Sequence, residues 1–220
     1  MLETRNLTIR FGGHVAVDGV SCAFQPGTLT AIVGPNGAGK TTYFNLISGQ
    51  LPASEGRVTL DGEDITALPA PLRTRRGLGR AFQLTQLFPN LTVRENVRLA
   101  IQAREAGRGH GGALDMWRVW SDRRAWIDEA DALLAQVRLG DKADAHASSL
   151  PHGDQRKLEV ALLIALDPKV FMFDEPTAGM SVDEVPVVLD LIRSLKARRD
   201  IVILLVEHKM DVVRELADRI

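Results

Sequence analysis

Residues Gly34-Pro35-Asn36-Gly37-Ala38-Gly39-Lys40-Thr41-Thr42 form a full GxxxxGK[ST] phosphate-binding loop. Such a loop has meaning only between a strand and a helix. Both are present, as the apolar run Thr30-Ala31-Ile32-Val33 before it and a helical pattern over residues 41–48 after it. Glycine lets backbone N–H groups curl around phosphate oxygens where a larger residue would block the approach. Lys40 brings a positive charge to the β- and γ-phosphates, the Thr41 hydroxyl is suited to Mg²⁺, and the helix start adds its positive end. The loop therefore predicts an α/β fold built on a parallel sheet, and a nucleoside triphosphate as ligand.

The second half of the sequence supplies what such a sheet needs. Residues 170–173 (Val-Phe-Met-Phe) and 201–206 are apolar throughout, the pattern of strands buried on both faces. Asp174 and Glu175 follow the first run, and Glu207-His208 the second. Ligands of open α/β sheets bind beyond the carboxyl ends of the strands. Asp174 is then placed to hold Mg²⁺, and Glu175 to orient and deprotonate an attacking water. An isolated histidine is usually a bystander. At a third strand end aimed at the same crevice, His208 reads as a partner for the γ-phosphate and the water.

The remaining segments read by period and punctuation. Leu7, Ile9 and Phe11 alternate, as do Val20, Cys22 and Phe24, with turns at Gly12-Gly13 and Pro26-Gly27. Residues 57–60 enter a hairpin at Asp61-Gly62. Thr92-Val93-Arg94-Glu95 is a capping box opening a helix to about Arg104, and Ile127, Ala130, Leu134 and Val137 mark another. The glycines at 107, 109, 111 and 112 between them read as a flexible loop. The expected organisation is one domain. Residues 1–85 and 148–220 make an α/β core with an antiparallel β subdomain, and residues 86–147 a helical insertion.

At 220 residues, 45% of them hydrophobic, the polypeptide is large enough to bury a proper core, and its net charge of −1 offers no field to attract nucleic acid. No segment reaches the ~20 apolar residues of a membrane span. The start, Met1-Leu2-Glu3, lacks a signal-peptide pattern, so a membrane role is expected to come through a partner. Cys22, the lone cysteine, is expected at a buried strand position, in a reducing compartment. Arg73, Arg75, Arg76 and Arg80 read as a solvated face or a set of local salt bridges, with docking to acidic groups of a membrane partner as the alternative. Trp117, Trp120 and Trp126 read as core of the insertion, with a stripe that grips a partner's coupling helix as the alternative.

Taken together, these motifs make the whole sequence similar to the nucleotide-binding subunits of ATP-binding cassette (ABC) transporters. The resemblance implies ATP and Mg²⁺ as cofactors. It implies that Gln83, after Ala81-Phe82, senses Mg²⁺ and the membrane partner, and that Phe11 stacks on adenine. It also implies that Ser149-Leu150-Pro151-His152-Gly153-Asp154-Gln155-Arg156 is the signature segment, with Gly153 and Asp154 meeting ATP in trans across a head-to-tail dimer. The physical basis is the free N–H groups and positive end of a helix beginning near Asp154. The implied partners are transmembrane permease subunits, a second cassette (identical or homologous) and, indirectly, a substrate-binding protein. The implied location is peripheral, on the cytoplasmic face of the inner membrane.

Several positions depart from the common pattern. Pro151 replaces the signature serine, His152 a glycine, Asp154 a glutamine, and Ser181 the aspartate after Ala178-Gly179-Met180. The signature form, the Asp-Glu-Pro-x-Ala-Gly-Met run and Phe11-Gly12-Gly13 resemble subunits serving branched-chain amino acid importers. Urea and short-amide importers share most of these marks, and an exporter subunit or a soluble ABC ATPase are further alternatives. Related subunits usually continue past the equivalent of Ile220 with a strand or two, so a trimmed C-terminus is expected.

Overall fold

The computed structural model describes residues 1–81, 87–108 and 124–220. Two compact units emerge, Met1–Ala81 with Pro168–Glu175 and Ile192–Ile220, and Phe82–Asp167 with Pro176–Leu191. No helix among the described residues is long and apolar enough to cross a membrane.

The first unit holds the strands. In sequence order they are β1 (Leu2–Phe11), β2 (His14–Phe24), β3 (Leu29–Ile32), β4 (Glu55–Leu60), β5 (Glu63–Asp64), β6 (Leu78–Ala81), β7 (Val170–Asp174) and β8 (Val202–Val206). Helix α1 (Lys40–Ser48) follows β3, and α2 (Ala70–Arg75) precedes β6. Strands β2-β1-β4-β5 form an antiparallel sheet, and β3-β8-β7-β6 a parallel one. The turn between β4 and β5 works because Asp61 and Gly62 both take positive φ, 52° and 84°, the combination a two-residue hairpin requires. Every residue of β7 and β8 is buried, as their unbroken apolar runs demand of central parallel strands. Leu2, Leu7, Phe44, Ile47, Val58, Val170 and Leu204 belong to the core this unit buries.

Two expectations fail here. Cys22 is exposed rather than buried. Strand β2 is the edge of its sheet, and Cys22 borders a cavity of about 570 Å³, although Val20 and Phe24 on either side of it pack against the core. Within the basic run, Arg76 and Arg80 form salt bridges as expected, but Arg73 is only 2% exposed and, among the described residues, is not salt-bridged. Its guanidinium donates to the carbonyls of Leu46 and Ile47 (both 2.7 Å), Thr66 (2.6 Å) and Leu68 (2.8 Å). The first two are end-of-helix carbonyls of α1, which lack intrahelical donors. Arg73 thereby serves as a C-cap that pins the far end of α1.

The second unit is helical. Helix α3 (Val93–Gly107) begins with the full Thr92–Glu95 capping box. Helix α4 (Arg124–Gln136) buries Ala130 and Leu134, and α5 (His152–Leu166) packs against α3 and α4. Arg104 of α3 ties the bundle by donating to both carboxylate oxygens of Glu129 and to the Ala165 carbonyl. Helix α6 (Val185–Lys196) starts in this unit and ends in the first, where α7 (Met210–Leu216) follows β8. Gln83, Trp117, Trp120 and the glycines at 109, 111 and 112 lie outside the described residues.

Candidate functional site

Strand register builds the site in the first unit. Ile32 of β3 pairs with Val206 of β8, and Val206 with Asp174 of β7. Three segments therefore leave the sheet at its carboxyl edge from one transverse row. Adjacent strands lie about 4.8 Å apart, so the ends of β3 and β7 flank β8 within roughly 10 Å of each other. From this row depart the phosphate loop, Glu175, and Glu207-His208.

The loop is exposed from Pro35 to Ala38, and the backbone turns into α1 at Gly39. Gly39 has φ +85°, and a Cβ there would stand 2.4 Å from the Ala16 carbonyl oxygen of β2, so glycine is obligatory. Among the described residues, α1 receives no cap bond at its start, and its first turn has no acidic residue. Its N–H groups and positive end are left open to an anion. Lys40 Nζ donates to the carbonyls of Gly34 (2.7 Å) and Pro35 (3.0 Å), folded across the loop it would serve. Thr41 and Thr42 sit half-buried in the first turn. Phe11 is 50% exposed at the tip of the β1–β2 hairpin, where it pairs with His14.

Asp174 ends β7 with its carboxylate fully buried. Its Oδ2 accepts from Arg80 Nη2 at 2.7 Å, while Oδ1 is buried without a hydrogen-bond partner among the described residues. A buried carboxylate oxygen left open at the strand edge that launches the phosphate loop could hold a hard divalent cation, as could the Thr41 hydroxyl. Glu175 takes φ +50°, a left-handed conformation that costs a non-glycine residue on the order of 1–3 kcal/mol. Its N–H donates to the Val206 carbonyl (2.9 Å), which holds this turn against β8. His208, 50% exposed, places Nδ1 3.8 Å from Glu175 Oε1, a gap one water can bridge. Glu207 is fully buried, and its carboxylate accepts from the backbone N–H groups of His208 (3.0 Å) and Lys209 (3.3 Å). It shapes the turn that presents His208. The sequence pairs Glu207 with His208 but carries no sign of that task, nor of the Arg80–Asp174 pair.

Residues 149–156, expected as the signature segment, lie in the second unit. Pro151 and His152 are exposed at the start of α5, and Gly153 is buried. A Cβ at Gly153 would fall 2.2 Å from Glu184 Oε2, so the Glu184 carboxylate lies directly against the α5 N-terminus. That carboxylate also pairs with Lys157 Nζ (3.1 Å) and accepts from the Ser181 N–H (3.2 Å) and hydroxyl (3.0 Å). Ser181, with Glu184 three residues on, makes a capping arrangement ahead of α6. Asp154 is buried, bonded to Lys142 and Lys157. Burial pushes its carboxyl up, but the two lysines outweigh that and hold it below the usual carboxylate range.

Known proteins resemble this sequence and this architecture. Residues 17–178 match the family described as ABC transporter. The sequence is 35% identical over 220 residues to the high-affinity branched-chain amino acid transport ATP-binding protein BraF of Pseudomonas aeruginosa, spanning 86% of that protein and 100% of this one. It is 36% identical over 223 residues to the protein of the same description, LivG, of Escherichia coli K12, with the same coverage. Among solved structures, a nucleotide-free ATP-binding cassette from an ABC transporter matches with a TM-score of 0.79 and 31% identity, over 85% of that structure and 99% of this one.

Proposed function

Because this protein belongs to the ABC transporter family, we propose that it is the ATP-hydrolysing subunit of an importer whose cargo is branched-chain amino acids. One observation carries the chemistry: a single transverse row of the parallel sheet launches the phosphate loop, Asp174-Glu175 and Glu207-His208. The cargo rests on the activity named for BraF and LivG.

In this reading the loop from Gly34 to Thr42 cradles the ATP phosphates. Lys40 exchanges its two loop carbonyls for the β- and γ-phosphate oxygens, and Phe11 offers its ring to adenine. Thr41, Asp174 and Gln83 would hold Mg²⁺, which when bound supplies positive charge against the phosphates. Glu175 draws the proton from the attacking water, and His208 donates a hydrogen bond to the γ-phosphate side. Gly153 of a second cassette meets the γ-phosphate, which requires the Glu184 carboxylate to move off the α5 N-terminus. An incoming phosphate favours that exchange, because both anions compete for the same positive helix end. The second cassette is a copy of this protein or a homologue. Separate permease subunits couple the pair to the substrate-binding protein, with the cassette peripheral on the cytoplasmic membrane face.

The test of the chemistry is Glu175→Gln. The variant should bind ATP as the wild type does and hydrolyse it at least ~100-fold more slowly, given the size of general-base contributions. Near-normal turnover would remove Glu175 from the role. The cargo is tested by calorimetry on the substrate-binding protein encoded beside this subunit. Tight binding of leucine, isoleucine and valine supports the reading, and binding of urea or short amides alone replaces the cargo.

A further inference from the structure

By sequence Arg80 belongs to a basic run read as solvated or locally salt-bridged; its side chain is only 5% exposed and reaches both β7 and α1 of the first unit. Nη2 donates to Asp174 Oδ2 at 2.7 Å. Nη1 donates to Asn45 Oδ1 at 2.6 Å and to Ser48 Oγ at 3.1 Å, both on the last turns of α1. The guanidinium also lies 5.6 Å from the Phe44 ring centre, within cation–π range. Strand β6 sets this reach, since Arg80 pairs in register with Met172 of β7, two residues before Asp174.

We infer that Arg80 is a positioning residue for the metal-binding carboxylate. The planar guanidinium has a fixed fork of donors, and here the fork is divided between two elements. One arm is fastened to the helix that begins in the phosphate loop. The other holds one oxygen of Asp174 and leaves Oδ1 buried and available to the cation. Asp174 and α1 are thereby kept in register through one residue. Thr41 and Asp174, two of the three protein donors expected at Mg²⁺, are braced together. With Arg80 removed, a fully buried carboxylate loses the guanidinium that fixes it and turns toward whatever donor remains. Oδ1 is then no longer held for the metal. The α1 N-terminus and Lys40, which serve the phosphates themselves, stay in place.

The inference rests on the proposed ATP reading and separates from it by experiment. Binding of a fluorescent ATP analogue is titrated with MgCl₂ and again with EDTA. Arg80→Gln should bind in EDTA within about twofold of wild type. It should lose roughly tenfold of affinity in Mg²⁺, the scale of one charge-assisted hydrogen bond. Asp174→Asn should lose the same metal-dependent gain, and the double variant should be no worse than the poorer single. Asn45→Ala keeps Arg80 but cuts one anchor, so a smaller loss of the metal-dependent gain is expected even if Arg80→Gln fails to fold. An unchanged Mg²⁺ gain in Arg80→Gln, or in Asn45→Ala where the former does not fold, overturns the inference. Equal losses with and without metal overturn it too. A wild type that binds no analogue at all overturns the ATP reading and this inference together.

Discussion

Replacing Arg73 by methionine should be among the most damaging single changes outside the site. Methionine keeps the length of the buried stem and removes only the guanidinium. Four carbonyls lose a donor: Leu46, Ile47, Thr66 and Leu68, all within 2.6–2.8 Å of it. The Leu46 oxygen keeps a second, longer donor, the Gly49 N–H at 3.4 Å. Each buried acceptor left open costs about 1–3 kcal/mol. The sum is not the answer, because deletion also removes the cost of burying a charge. Burial already pushes the Arg73 guanidinium below its ordinary range, with the charge of Asp64 offsetting part of that. The acceptors left behind are neutral, so the net loss is set by the open carbonyls less the relieved charge burial, about 2–4 kcal/mol. That is a large share of the roughly 5–15 kcal/mol of a typical domain. Urea unfolding followed by circular dichroism measures it, as a lower midpoint at an unchanged slope. Arg73→Lys should recover part of the loss, since one ammonium can serve the two α1 carbonyls but not all four. A methionine variant within about 1 kcal/mol of wild type would refute the capping role, that being the net worth of a single ordinary hydrogen bond.

Two further outcomes are expected. Gly39→Ala forces a Cβ to 2.4 Å from the Ala16 carbonyl oxygen at φ +85°, so the loop must shift and ATP affinity should fall at least about fivefold, from strain of about 1–3 kcal/mol; affinity within about twofold of wild type, the spread of an ordinary surface change, would show the loop tolerates the change. Asp154, held low by Lys142 and Lys157 against the upward push of burial, contributes stability that is complete above the ordinary carboxyl range and is lost as pH falls through and below it. Asp154→Asn should therefore lower the melting temperature at neutral pH and flatten its acid decline; parallel pH profiles for the two proteins would contradict the network.

What the sequence determined was local or periodic. A capping box closes on itself within four residues, so Thr92 and Glu95 announce the start of α3. Asp61-Gly62 can take two positive φ values in succession, and the hairpin follows. The apolar runs of β7 and β8 state that both faces are covered, and the residues just after them are the ones the carboxyl edge presents. Tertiary structure decided which strands are neighbours. The order β3-β8-β7-β6 departs from sequence order, and only that order puts Ile32, Val206 and Asp174 in one row. The same holds for the arginines. Arg73, Arg76 and Arg80 are alike as a sequence pattern, but one caps α1 from inside, one pairs with Glu63 at the surface and one grips Asp174. A guanidinium takes its role from the acceptors that long-range folding brings to it, and those acceptors stand 26 and 27 residues away for the α1 carbonyls of Arg73 and 94 for the Asp174 partner of Arg80. Cys22 is the converse case: its alternation with Val20 and Phe24 promised burial, and Phe24 is buried, but Cys22 itself borders a cavity beside the edge strand β2.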